Sequence, residues 1–281
     1  MDTLEEVVEN IKAVKVQGAK EIAIYSLKFL RKFCKKNGFK LKFEVVAKVL
    51  EEARPTAVVL HNCLEILKKN RKLSTIDSLL ERLNAVTKNI GANGSKLIKD
   101  NCKIMMYCHS SEALSIMKVA RKRGKKFSII TTITEPLEQG IKTSKELAQM
   151  KIPVTLIEDS ATGYFMKNVD LAMIGTDAIR KEGIVNKIGT SLLASAAKQN
   201  KKPLYVVGNM LKLDKRKKLE IEERSGVEIF HLPKMLLPMA SGLKGIKIRN
   251  PAFDTTPWKF ITAVITEKGI LKPKQVLRLL K

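Results

Sequence analysis

Apolar residues recur every three to four positions through residues 1–99, as in Leu4, Val7, Val8 and Ile11, and again in Ile22, Ile24, Leu27, Phe29 and Leu30. That spacing puts them on one stripe of an α-helix and predicts a series of amphipathic helices. Asn37-Gly38 breaks the pattern, and a third helix covers about 43–53. Arg54-Pro55-Thr56 opens a fourth, because Pro suits a first helical turn. A longer pattern runs over 74–99, interrupted near Gly91 and Gly94. From Lys103 the period changes. Short apolar runs stand at 103–107, 127–131, 153–157, 170–174 and 203–207, with amphipathic stretches at 111–123, 143–150 and 189–199. Strands alternating with helices indicate βαβ units and a parallel sheet. The expected fold is α/β: an N-terminal helical domain (1–99), then a Rossmann-like open parallel-sheet domain (100–281). Residues 211–247 read as a loop-rich excursion suited to a lid, 250–257 as turn chemistry around a core Phe253, and 261–267 as the last strand.

Composition narrows the classes. With 281 residues and 44% hydrophobic content, the chain can hold one large or two ordinary domains. No run approaches the ~20 apolar residues of a membrane span, and the acidic start Met1-Asp2-Thr3-Leu4-Glu5-Glu6 is unlike a secretory signal. The four Cys, at 34, 63, 102 and 108, lack zinc-site spacing, so a reducing, cytoplasmic setting without a metal is expected. The net charge of +25 attracts polyanions, but 42 of the 53 basic residues are Lys, spread along the chain. At 5% aromatic content, stacking platforms for single-stranded RNA are not expected, nor is specific nucleic-acid recognition.

The candidate chemistry sits at strand ends. Ile104-Met105-Met106 runs into Tyr107-Cys108-His109-Ser110-Ser111 and a helical pattern. A thiol delivered to a helix N-terminus is expected to ionise below the free-Cys value of about 8.5. Alone, Cys108 is better read as a buried structural thiol. A second apolar run, 171–174, ends in Gly175-Thr176-Asp177, which offers a carboxylate at the same edge. Ligands of open α/β sheets bind at the carboxyl ends of the strands, where Thr131-Thr132 and Asp159-Ser160 also lie. Asn186 and Lys187, before the helix opened by Gly189-Thr190, make a candidate phosphate site. Gly18-Ala19 begins another helix whose N–H groups suit a phosphate, and Arg54 at a helix start calls for a nearby anion. His109 is expected to point away from Cys108, and His61 and His231 to be ordinary. No G-x-G-x-x-G follows the first strand and no P-loop is present, so a dinucleotide is not indicated.

Several segments occur in a recognisable order: Arg-Pro-Thr-Ala (54–57), Cys-His-Ser-Ser (108–111), Gly-Thr-Asp-Ala-Ile (175–179), Val-Asn-Lys-Ile-Gly-Thr (185–190), Asn-Pro-Ala-Phe-Asp-Thr-Thr-Pro (250–257) and Ile-Thr-Glu-Lys-Gly (265–269). In this the chain resembles the family that holds ribose-1,5-bisphosphate isomerase, methylthioribose-1-phosphate isomerase and the alpha, beta and delta subunits of the nucleotide-exchange factor of translation initiation. The Cys108 and Asp177 pair is similar to the isomerase dyad, and the branch it looks closest to is ribose-1,5-bisphosphate isomerase. The resemblance implies a cytoplasmic aldose–ketose isomerase that turns ribose 1,5-bisphosphate into ribulose 1,5-bisphosphate in archaeal nucleotide salvage (AMP metabolism). Cys108 would be the base and Asp177 the acid. Gly18, Ala19, Arg54, Ser110, Asn186, Lys187 and Lys212 would hold the phosphorylated sugar. It further implies no cofactor and a homo-oligomer, dimer or hexamer. The alternatives are a non-catalytic regulatory subunit like those of the translation factor, and a methylthioribose-1-phosphate isomerase.

Three positions depart from the family's pattern. Gln17 stands for an Arg before Gly18-Ala19, Glu135 for the Arg of Thr-Arg-Pro, and Asn209-Met210-Leu211-Lys212 for Glu-Thr-Tyr-Lys. Glu135 is expected to face a phosphate, with Lys20 neutralising it.

Overall fold

The computed structural model describes residues 2–230 and 247–281. Five helices come first: α1 (Leu4–Lys12), α2 (Ala19–Asn37), α3 (Leu41–Ala53), α4 (Val58–Lys69) and α5 (Leu73–Gly94). Thr3 and Glu6 close a capping box on α1, the Thr3 hydroxyl accepting from Glu6 N–H and the Glu6 carboxylate from Thr3 N–H. The predicted stripes face one another, and Ile11, Ile22, Leu27, Leu30, Phe43, Leu50, Leu64 and Leu83 are fully buried in one cluster. Arg54 does not open a helix. It ends α3 with extended backbone, because the residue before a proline is pushed out of the α region, and α4 starts only at Val58. Gly91 and Gly94 do not interrupt α5 either. They lie where α5 runs along the next helix, and a Cβ on Gly91 would sit 2.9 Å from the Ser115 carbonyl oxygen.

Strands begin at Cys102. The main sheet holds β1 (Cys102–Tyr107), β2 (Phe127–Thr132), β3 (Val154–Ile157), β4 (Leu171–Gly175), β7 (Leu204–Val207), β9 (Ala263–Thr266) and β10 (Gly269–Leu271). Its order is β10-β9-β7-β4-β1-β2-β3, parallel except at the β10 edge. The helices between are α6 (Ser111–Lys122), α7 (Gln139–Gln149), α8 (Thr162–Met166) and α9 (Thr190–Gln199), with α10 (Pro273–Leu279) last. All five predicted apolar runs are strands. The chain winds outward from β1 through β2 to β3, then returns to lay β4 against the other side of β1, with Tyr107 opposite Ile174. This reversal makes the carboxyl ends of β1 and β4 a crevice, and Cys108 and Asp177 leave the sheet there.

A second, antiparallel sheet was not expected. It joins β5 (Ala178–Ile179), β6 (Gly183–Lys187) and β8 (Phe253–Pro257) in the order β5-β6-β8. The segment 250–257 is therefore largely strand, and 261–267 is followed by β10 and α10. Of the proposed lid, 211–230 forms irregular turns with short 3-10 segments, while 231–246, including His231, lie outside the described residues. Among the described residues no helix is long and apolar enough to cross a membrane.

Candidate active site

A cavity of about 300 Å³ opens where the β1 and β4 ends, the starts of α2 and α6, and the small sheet converge. All nine residues singled out from the sequence line it: Gly18, Ala19, Arg54, Cys108, Ser110, Asp177, Asn186, Lys187 and Lys212.

Cys108 turns the chain out of β1 in the left-handed region, at φ 63°, an unusual conformation for a side chain that is not Gly, Asn or Asp. Its N–H donates to Thr134 Oγ1 (3.0 Å) and its carbonyl accepts from Thr143 Oγ1 (2.9 Å), so both ends of the turn are held. The thiol is not acidified as the helix start suggested. Burial pushes it up to about 12, and the Asp177 and Asp159 charges push the same way, against the His109 N–H and Lys187. The helix start is taken by Ser110, whose Oγ accepts from Ala113 N–H (3.2 Å), which leaves Cys108 two residues ahead of the cap. Burial raises the Asp177 carboxyl, with Lys212 and Arg54 opposing and Glu112 and Glu21 assisting.

The cationic groups are less free than their spacing implied. Lys212 lines the cavity, yet its ammonium is 2.5 Å from Glu112 Oε2, while Glu112 Oε1 accepts from Asn209 Nδ2 (2.6 Å). Arg54 lies over the Phe253 ring, with Nε 3.4 Å from Glu222 Oε2 and its buried Nη1 unbonded among the described residues. Asn186 Nδ2 donates to Thr190 Oγ1 (2.9 Å). The start of α9 is closed to a phosphate, because Asp254 accepts there from Gly189 N–H (2.8 Å), Ser191 N–H (3.1 Å) and Ser191 Oγ (3.0 Å). The start of α2 is shared with Glu21, which accepts from Ser111 Oγ (2.7 Å). Burial raises the Glu21 carboxyl, but that hydroxyl and Lys20 outweigh it and hold the group low.

Of the departures, Gln17 lines the cavity and Glu135 does not. The N–H groups of Thr134 and Glu135 both donate to Asp159, at 2.8 Å each, which fixes that turn. Lys20 is directed elsewhere, donating to Thr87 Oγ1 (3.0 Å) and lying 3.4 Å from Glu21.

The sequence reading missed several lining residues. His109 faces the cavity region after all, with Nδ1 3.1 Å from Thr143 Oγ1. That hydroxyl already donates to Cys108 O, so Nδ1 carries the proton in this arrangement. Burial and Lys142 hold the imidazole below its ordinary range. Gln139, Lys142 and Glu146 line the cavity from one face of α7, and Arg224 lines it from the other side. The i, i+3, i+7 spacing on α7 was the available signal, but in sequence it is indistinguishable from a solvated helix face.

The model of the initiation factor 2 subunit family matches residues 15–273. A ribose 1,5-bisphosphate isomerase of Methanocaldococcus jannaschii is 38% identical, over 98% of this chain and 93% of that protein. A methylthioribose-1-phosphate isomerase of Geotalea uraniireducens is 37% identical, over 81% and 73%. Among solved structures, a translation initiation factor eIF-2B of Pyrococcus horikoshii OT3 superposes with a TM-score of 0.85 at 26% identity, covering 99% of this chain and 98% of that one.

Proposed function

The chain belongs to the initiation factor 2 subunit family, and within it we propose that the protein is an aldose–ketose isomerase acting on ribose 1,5-bisphosphate. The observation that carries this reading is a thiol and a raised-pKa carboxyl at the β1/β4 reversal, in one cavity that six Lys and Arg side chains also line. Two relatives matched over 93% and 91% of their length bear the same activity in their names.

The chemistry fits the pair. Asp177, whose carboxyl burial pushes up, gives its proton to the ring oxygen as the bond from that oxygen to C1 breaks. Cys108, as thiolate, takes the C2 proton, and a C1=C2 double bond forms. Asp177 then takes the proton of the 2-hydroxyl while the Cys108 thiol returns one to C1, leaving a ketone at C2. Both groups end as they began, and no electrons enter or leave. Arg54, Ser110, Asn186 and the backbone at Gly18-Ala19 hold the phosphates, with Lys142 and Arg224 at the two sides. We divide the labour at residues 99 and 100: the helical part supplies Gly18, Ala19 and Arg54, the remainder the reacting pair. We also propose a homo-oligomer, for which the exposed Tyr164 (67%) and Leu192 (64%) on adjacent helices supply an apolar face. Light scattering of the purified protein checks it.

The deciding experiment is incubation with ribose 1,5-bisphosphate and identification of the product by NMR, ribulose 1,5-bisphosphate being expected. Binding without turnover would favour the regulatory reading, for which the loss of Arg at Gln17 speaks. Arg54→Ala should raise the half-saturating concentration tenfold or more, since a charge-assisted bond contributes about 1.5–3 kcal/mol. An unchanged value would place the phosphate elsewhere.

A further inference from the structure

The isomerase reading asks for a thiolate, while burial drives Cys108 toward the thiol. Some group must favour the charged form. Lys187 is only 5% exposed, lines the cavity, and its ammonium has no hydrogen bond or ion pair among the described residues. The other cations within the cavity are engaged: Lys212 with Glu112, Arg54 with Glu222, Arg224 with Glu222 and Glu228, Lys20 with Glu21. Lys142 is also unpaired, but it lies on an exposed part of α7. A buried, unpaired ammonium is costly unless it meets a negative charge.

The fold brings Lys187 to the thiol. The Tyr107 hydroxyl donates to the Ile188 carbonyl (2.5 Å), tying the end of β1 to the end of β6. Cys108 follows one partner of that bond and Lys187 precedes the other. The approach is close: a Cβ on Gly189, whose φ is 95°, would sit 2.2 Å from the Tyr107 hydroxyl. The groups facing Cys108 are Asp177 from the end of β4, Asp159 from the turn after β3, Lys187 from β6 and the His109 amide, and of these side chains only Lys187 is cationic. Around Lys187 itself stand Glu228, Arg224 and Arg54.

We propose that Lys187 is the counter-ion of a Cys108 thiolate and, through it, a positioning residue for proton transfer at C2. The S–H bond breaks, its proton passes to water in the cavity, and Lys187 stays protonated beside the sulfur. When the thiolate takes the C2 proton, the S–H bond re-forms and Lys187 is released toward the substrate's phosphate. The purpose of the pair rests on the isomerase reading, but its test does not.

The test is the rate of Cys108 alkylation by iodoacetamide against pH, read by mass spectrometry of its peptide, in the intact protein and in Lys187→Met, Lys187→Arg and Tyr107→Phe. The thiolate is the reactive form. Lys187→Met should move the profile up by about one pH unit or more, cutting the rate at a fixed pH below the midpoint about tenfold, and Lys187→Arg should restore most of it. Tyr107→Phe, which loosens the clasp but keeps the ring, should shift it the same way by less. Superimposable profiles for wild type and folded Lys187→Met overturn the proposal. If that variant does not fold, an unshifted Tyr107→Phe profile does so. A shifted profile in a protein that does not convert ribose 1,5-bisphosphate would keep the ion pair and sink the isomerase reading.

Discussion

Cys108→Ser and Asp177→Asn are each expected to lower turnover of ribose 1,5-bisphosphate by about 100-fold or more, the ordinary scale for losing a general base or acid. Serine is nearly isosteric but does not ionise in the accessible range, so it cannot take the C2 proton. Asparagine keeps the shape of Asp177 but has no proton to give the ring oxygen. Neither change touches what holds the turns, because Cys108 is fixed through its backbone by Thr134 and Thr143, and Asp177 through its N–H to Val185 O (2.8 Å). Circular dichroism and thermal midpoints should therefore match wild type. The pH dependence follows from the two roles. Turnover needs Asp177 protonated, which burial favours, and Cys108 ionised, which burial opposes, so the rate should fall at both ends of the pH range. Near-normal turnover by Cys108→Ser would remove the thiol from the mechanism.

How far the sequence reaches is set by what each residue looks like outside its fold. The strands β1 and β4 are legible because they are buried on nearly every position, so their apolar runs are unbroken. Their order is not in the pattern, yet the rule that ligands gather at strand carboxyl ends was enough to bring Cys108 and Asp177 together. The small sheet was hidden. Asp254, Thr255 and Thr256 carry turn chemistry, but in β8 they pair with Asn186, Val185 and Ile184 of β6. That pairing puts Asp254 on the start of α9, a place the sequence had reserved for phosphate. The acidity of Cys108 was misjudged for a related reason: a helix start acts within its first turn, and Ser110 already occupies it. Glu112 was invisible as a site residue because an acidic side chain in the first turn of a helix is usually only a match to the dipole.

Glu112 is also where the second large effect is expected. Its carboxylate is buried between Lys212 Nζ (2.5 Å) and Asn209 Nδ2 (2.6 Å), and Lys212 stands in turn beside Asp177. In Glu112→Gln the amide keeps the volume and the Asn209 contact, but the Lys212 ammonium loses its counter-charge in a dry place. Breaking a buried pair from one side costs about 3–5 kcal/mol, and the low end applies here because Asp177 can take over part of the pairing. Urea unfolding at neutral pH measures that loss. Burial lowers the Lys212 pKa, but Glu112 and Asp177 outweigh it and the net shift is upward. The contribution of the pair is therefore fully present below the unfolded Lys value of about 10.4 and is lost as pH rises through the folded one. The difference between wild type and variant should shrink only under strongly alkaline conditions. The same substitution reaches the chemistry. Glu112 helps to raise the Asp177 carboxyl, whereas Lys212 lowers it. With Glu112 neutral and Lys212 turned toward Asp177, the acid ionises at lower pH, so less of it is protonated at a given pH and turnover should fall. A variant as stable as wild type, with unchanged turnover, would mean that Lys212 is not held by Glu112 and is free for the phosphate instead.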